Sequence, residues 1–116
     1  LGRAICFLNA AKELFVELND QELIELRNII AAYQTALTQL WRPDWWNYAQ
    51  LGNEVRRLHV HFIPRYKKKR AFGGSEFIDS RWGQNYAPAP WKKEDKKLNQ
   101  HIIQTIKKSV TINNES

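Results

Sequence analysis

His59 and His61 stand one residue apart in the stretch RLHVHFIPRY, residues 57–66. In an extended chain alternate side chains share a face. Arg57, His59 and His61 therefore point one way, and Leu58, Val60 and Phe62 point the other, toward a core. Three chemistries suit such a row. The plainest is a pair of structural histidines satisfied by hydrogen bonds. A zinc site would use the pair as two ligands and needs a third; the chain offers His101, with Glu54 or Asp79 to complete the set. The last is phosphoryl-group chemistry. A neutral imidazole keeps a ring-nitrogen lone pair at neutral pH and can attack phosphorus. A second imidazole can hydrogen-bond the phosphate or protonate a leaving group. Arg57, Arg65 and a turn at Gly52 would neutralise the charge that spreads over the phosphoryl oxygens.

Several elements must position that row. RAICFL, residues 3–8, is a short apolar run with a β-branched centre and predicts a buried strand. Asn19 followed by Glu22 forms a capping-box pattern. Leu23, Leu26, Ile30, Tyr33, Leu37 and Leu40 then recur at three- and four-residue steps, which predicts a helix over about 20–41 that Pro43 ends. The aromatic run at 45–48, the turn residues Gly52 and Asn53, and the histidine stretch predict an antiparallel hairpin of 45–51 with 57–63. Lys67–Arg70 and Gly73-Gly74 read as a basic loop, and EFID (76–79) as a short strand. Pro88 and Pro90 interrupt regular structure. Leu98, Ile102, Ile106 and Val110 predict a final helix over about 94–110. Trp41, Trp45 and Trp46 suit core or dimer packing; Trp82 and Tyr86 are placed to cover a site or stack on a base.

The bulk properties bound the possibilities. A chain of 116 residues suits one domain, here 1–116, with one modest core. A single cysteine, Cys6, excludes an internal disulfide and a cysteine-based zinc site. No apolar run is long enough to cross a bilayer. The chain has no Met and opens Leu-Gly-Arg, so either its start was processed or upstream residues are missing. Net charge is +6, divided as −3 over residues 1–55 and +9 over 56–116. A basic half is consistent with an anionic partner and equally with a solvated, soluble surface.

Asn47, Gly52, Asn53, Glu54, Val55, His59 and His61, in this order and spacing, resemble the signature of the histidine triad (HIT) family: His-φ-His-φ-His-φ-φ, with φ apolar, after a Gly-x-x-Val turn and an upstream Asn. Gly2-Arg3 before the first strand, LNDQELIEL at the helix start and FIDSRWGQNYAP after the triad are also similar to HIT sequences. The resemblance spans roughly residues 1–90. It implies an α+β fold, an antiparallel sheet of about five strands with the long helix (about 20–41) on one face, followed here by the C-terminal helix (about 94–110). It also implies a homodimer in the cytoplasm with no metal or other cofactor. The implied reaction is nucleotidyl transfer or hydrolysis at an α-phosphate of a purine nucleotide or dinucleotide, on dinucleoside polyphosphates or nucleoside phosphoramidates. His59 would be the nucleophile that carries the nucleotidyl group and His61 the phosphate or leaving-group contact. Asn47, Gly52, Asn53, Glu54 and Arg57 would line the nucleotide and phosphate.

The first triad position, however, is Arg57. A guanidinium stays protonated and cannot accept a proton, although its fork can bind phosphate. Arg56 replaces a residue that is often Pro, Asn9-Ala10-Ala11 lies where a Lys-Arg-His-like segment is usual, and Glu54 places a carboxylate near expected phosphates. The family also builds part of its base pocket from residues before the first strand seen here. A non-catalytic nucleotide binder with a degraded triad is therefore the alternative. An RNA-binding module is a weaker one: RAFGGSEF (70–77) partly resembles the RNP1 pattern at Arg70, Phe72, Gly73 and Phe77. There Ala71 stands where Gly is usual, and the Gly-rich basic context does not suit a central strand.

Overall fold

The computed structural model describes residues 1–9, 11–87 and 95–110. The expected long helix is α1, Asp20–Trp41. Its start is a capping box: the Glu22 N–H donates to Asn19 Oδ1 at 2.8 Å, and the Asn19 N–H donates to Glu22 Oε1 at 3.0 Å. Tyr33, Ala36, Leu37 and Trp41 form its buried stripe, and Leu26, Ile30 and Leu40 pack at the margin. Leu23, the first residue of the expected stripe, stays exposed. Arg42 ends the helix in the left-handed region at φ 49°, and Pro43 follows. Arg70 secures this end, donating from Nε to the Trp41 carbonyl and from Nη2 to the Arg42 carbonyl.

The main sheet has the order β1-β3-β2, antiparallel throughout. Its strands are β1 (Ala4–Phe7), β2 (Trp45–Ala49) and β3 (His59–Arg65). The hairpin expected over 45–51 and 57–63 is present, but its ladder runs from Trp45↔Arg65 to Ala49↔His61. Arg57 thus lies outside the strand, in the connection that contains Gly52 at φ +72°. Neighbouring chain holds Leu58 there: its N–H donates to the Lys12 carbonyl and its carbonyl accepts from the Leu8 N–H. β1 pairs no further along β3 than Phe62, so Pro64 lies where β3 has a sheet neighbour on one side only.

The inward face of the sheet carries Val60 and Phe62, which pack on Tyr33, Leu37 and Trp41. Tyr33 lies 5.1 Å from the Phe62 ring, and its hydroxyl donates to the Gly2 carbonyl. Burial pushes the Tyr33 phenol far above its ordinary range.

The region read as a basic loop forms, with the short strand expected at EFID (76–79), a second, two-stranded sheet. β4 (Arg70–Phe72) and β5 (Ser75–Phe77) pair through Gly73-Gly74, at φ +58° and +78°. Two positive-φ residues are what a two-residue hairpin loop demands. The five strands expected are present, divided three and two. The final helix is α2, Lys96–Ser109, capped by Asp95; residue 94 of the expected span lies outside the described residues. Ile102 and Ile106 of α2 join the core cluster. Phe72 packs between Trp41, at 5.5 Å, and His101, at 4.5 Å. No described helix is long and apolar enough to cross a membrane.

Candidate functional site

The outward sheet face carries the histidines. Directly opposed residues of antiparallel strands share a face, so Phe7 joins His59, Ile5 and Ala49 join His61, and Asn47 joins Ile63. The ring centroids of His59 and His61 are 5.1 Å apart, edge to face. Phe7 stacks on His59 at 5.0 Å with 23° between the planes. His59 is 8% exposed, and His61 is half-buried.

His59 Nδ1 lies 2.7 Å from the Arg57 carbonyl oxygen. A carbonyl only accepts, so Nδ1 carries the proton and, in the neutral ring, Nε2 carries the lone pair. Among the described residues no buried side-chain nitrogen or oxygen lacks a partner. Nε2 makes no hydrogen bond among the described residues, on the outward side of the sheet. The Arg57 carbonyl thus fixes the tautomer of the ring and its orientation, with Nε2 on the outward face.

Arg57 is exposed on the rim. Its Nε donates to the Leu8 carbonyl at 2.8 Å, and its guanidinium lies 6.0 Å from the Phe7 ring. It thus stands beside the ring that stacks on His59, although it is not part of the strand. Gly52, Asn53 and Glu54 lie in the connection between β2 and β3, with Asn53 and Glu54 exposed. No ion pair links Glu54 to Arg56 or Arg57 among the described residues. Asn47 lies on the histidine face, where its Oδ1 accepts from Arg65 Nη1 at 2.7 Å.

The zinc alternative lacks its geometry. His101 packs on Phe72, Asp79 is engaged by Arg65, and no cluster of three candidate ligands occurs among the described residues. The RNP1 resemblance fails on packing: Phe72 is used against Trp41 and His101 instead of being offered to a base.

One residue of this face escaped sequence reasoning as a site residue. Arg3 stands two residues before Ile5, which opposes His61, and so shares the histidine face. The His61 pKa is lowered by burial first, then by the charges of His59 and Arg3. Arg65, expected to neutralise phosphoryl charge, lies on the same face but is 5% exposed, and its guanidinium is engaged within the protein. It bonds Asp79 through Nε at 2.6 Å and Nη2 at 3.2 Å, and donates to the carbonyls of Arg81 and Gln84. This network fastens segment 79–85 over the end of the sheet. Burial pushes the Asp79 carboxyl upward, but hydrogen bonds from Arg65, Arg81 and Tyr66 outweigh it and leave the pKa lowered.

Two hollows flank the histidines. A cavity of about 260 Å³ adjoins His59 at the free edge of β1, lined by Phe7, Leu8, Glu25, Leu26 and Leu58 among others. A cleft of about 560 Å³ lies past the Arg65 end of the sheet, between Trp45 and Trp82.

This architecture matches solved structures of histidine triad proteins. A histidine triad protein of Bradyrhizobium japonicum superimposes with TM-score 0.66 at 23% identity, over 94% of this chain and 75% of that one. A hypothetical histidine triad nucleotide-binding protein of Sulfolobus tokodaii gives 0.66 at 18% identity, over 94% and 69%. A histidine triad (HIT) protein of Sinorhizobium meliloti gives 0.58 at 21% identity, over 93% and 74%. No family model matches the chain, and no curated protein sequence does. The fold is therefore HIT-like: α+β, with an antiparallel sheet under a long helix.

Proposed function

We propose that this protein is a nucleotide hydrolase or nucleotidyl transferase that works through a nucleotidyl-histidine on His59. The observation that carries the reading is the bond from His59 Nδ1 to the Arg57 carbonyl, which leaves Nε2 as an outward nucleophile. In the first step the Nε2 lone pair forms a bond to the α-phosphorus, and the bond from phosphorus to the leaving group breaks. Water then attacks the same phosphorus, releases the nucleoside monophosphate and restores the imidazole; a second acceptor in place of water gives transfer. His61 contacts the phosphate or leaving group, and Arg3 and Arg57 supply positive charge at the rim. Asn47, Gly52, Asn53 and Glu54 border the phosphates, the last through its backbone. The cavity beside His59 offers apolar walls to a nucleobase and Glu25 to a ribose hydroxyl. No step requires a metal or other cofactor. The likeness in fold to the hypothetical histidine triad nucleotide-binding protein of Sulfolobus tokodaii supports a nucleotide as the ligand.

Arg57 favours one competing reading, a nucleotide binder without turnover, because its side chain can bind an anion but cannot act as a base. Diadenosine tetraphosphate and an adenosine phosphoramidate, assayed for AMP release beside His59→Ala, decide between them. AMP release, or an AMP adduct by intact mass, that disappears in the variant supports the enzyme. Nucleotide binding without turnover selects the binder; neither binding nor turnover discards both. A homodimer belongs to the same proposal and is read by sedimentation.

A further inference from the structure

The cleft at the Arg65 end of the sheet shares only Asn47 with the chemistry above. Trp45, Asn47 and Arg65 form one wall, and Trp82, Gln84 and Asn85 the other. Trp45 and Asn47 oppose Arg65 and Ile63, so this wall continues the face that carries His61. Trp45 is 65% exposed and Trp82 is 36% exposed, which leaves aromatic surface open on both sides. Lys67 lies over Trp82, 5.6 Å from its ring. The one carboxylate in the lining, Asp44, is already bound by the Lys67 N–H at 2.8 Å and by Arg70 at 3.5 Å. The second wall is held in place by Arg65, through the carbonyls of Gln84 and Arg81.

We infer that this cleft receives the leaving nucleotide of a dinucleoside polyphosphate, with its base between Trp45 and Trp82. The inference rests on the reading of His59 as nucleophile. From His61 to Arg65 is four residues of strand, roughly 13 Å. One phosphate cannot span that distance and a short polyphosphate can. Arg3 lies beside the route, on the histidine face, and Lys67 at its end; both match a chain of negative charges. Stacking on aromatic rings binds any base, since every base has a π face.

The chemistry at His61 agrees with the same substrate. Burial first, and then the Arg3 charge beside it, favour the neutral form of that imidazole, and Arg57 cannot release a proton. A polyphosphate leaves as a stable anion and needs no proton, whereas an amine leaving group does. Electrons and charge balance without a further acid: Nε2 gains the phosphorus, and the polyphosphate oxygen keeps the bonding pair.

The test compares kcat/KM for diadenosine tetraphosphate and adenosine phosphoramidate in the wild type, Trp82→Ala and Trp45→Ala. The ratio of the first substrate to the second should fall roughly 5- to 100-fold in each variant, as loss of a stacked base predicts. A ratio that stays within about twofold overturns the inference. If the wild type turns over neither substrate, the reading of His59 fails separately, and calorimetry with ATP then decides the cleft. Weaker ATP binding by Trp82→Ala keeps it as a nucleotide site, and equal affinity removes it. A dimer that Trp45→Ala dissociates makes the cleft an interface between copies and also overturns the inference.

Discussion

Asp79→Asn tests the fastening of segment 79–85. The Arg65 and Asp79 side chains are 6% and 13% exposed, and two hydrogen bonds join them. The substitution removes the carboxylate charge and leaves a guanidinium buried among neutral acceptors. Breaking a buried pair in this way costs about 3–5 kcal/mol. Asn47 Oδ1 and the carbonyls of Arg81 and Gln84 still accept from Arg65, which places the loss near 3. A domain of this size has a stability of about 5–15 kcal/mol, so the loss is a large share of it. The melting temperature should fall by roughly 12 °C, at about 4 °C per kcal/mol. Thermal unfolding followed by circular dichroism reads this directly. The pH dependence gives a second readout. The Asp79 pKa is lowered in the fold, so its contribution is complete above the ordinary carboxylate value of about 3.9 and is lost as pH falls through the folded value. The gap between wild type and variant should therefore close on acidification. A fall of less than about 3 °C at pH 7 would refute the buried-pair argument.

Three further outcomes are expected. Arg57→Ala keeps the backbone carbonyl that His59 uses, so kcat for AMP release should fall less than about tenfold, while loss of one hydrogen bond costs about 1 kcal/mol of stability; loss as complete as in a folded His59→Ala sinks the tautomer argument. His61 should titrate below the ordinary imidazole value of about 6.5 by NMR, and Arg3→Gln should raise its midpoint; its contribution to stability is full above 6.5 and is lost as pH falls through the folded value. Gly73→Ala puts a Cβ 2.7 Å from Leu98 Cδ1 at φ +58°, whereas a Cβ at Gly74 meets nothing within 4 Å at φ +78°. Chemical denaturation should show Gly74→Ala losing about 1–2 kcal/mol from backbone strain alone and Gly73→Ala losing more; equal losses would remove the contact with α2.

Much of the frame was legible because its signals are local. The apolar stripe and capping box of α1 lie in consecutive residues, and they locate the helix closely. The shared face of His59 and His61 follows from a two-residue period. β5 overlaps the strand expected at EFID (76–79), but β4 falls in the stretch read as a basic loop, because a strand of three residues is too short to show alternation. Arg3 and Trp45 were not recognised as neighbours of the histidine face, because that requires the order and register of three strands distant in sequence. Arg57 was judged by its side chain, and the contact that matters comes from its backbone.

That backbone contact separates two kinds of control. Every amino acid brings the same carbonyl, so the proton on His59 is steered by an atom that substitution at position 57 cannot delete. The side chain at that position is left to vary, as the guanidinium beside Phe7 does here. Such a division permits the charge beside Phe7 to change while the His59 imidazole keeps its orientation. A motif defined by three imidazoles therefore counts one side chain more than the orientation of His59 requires.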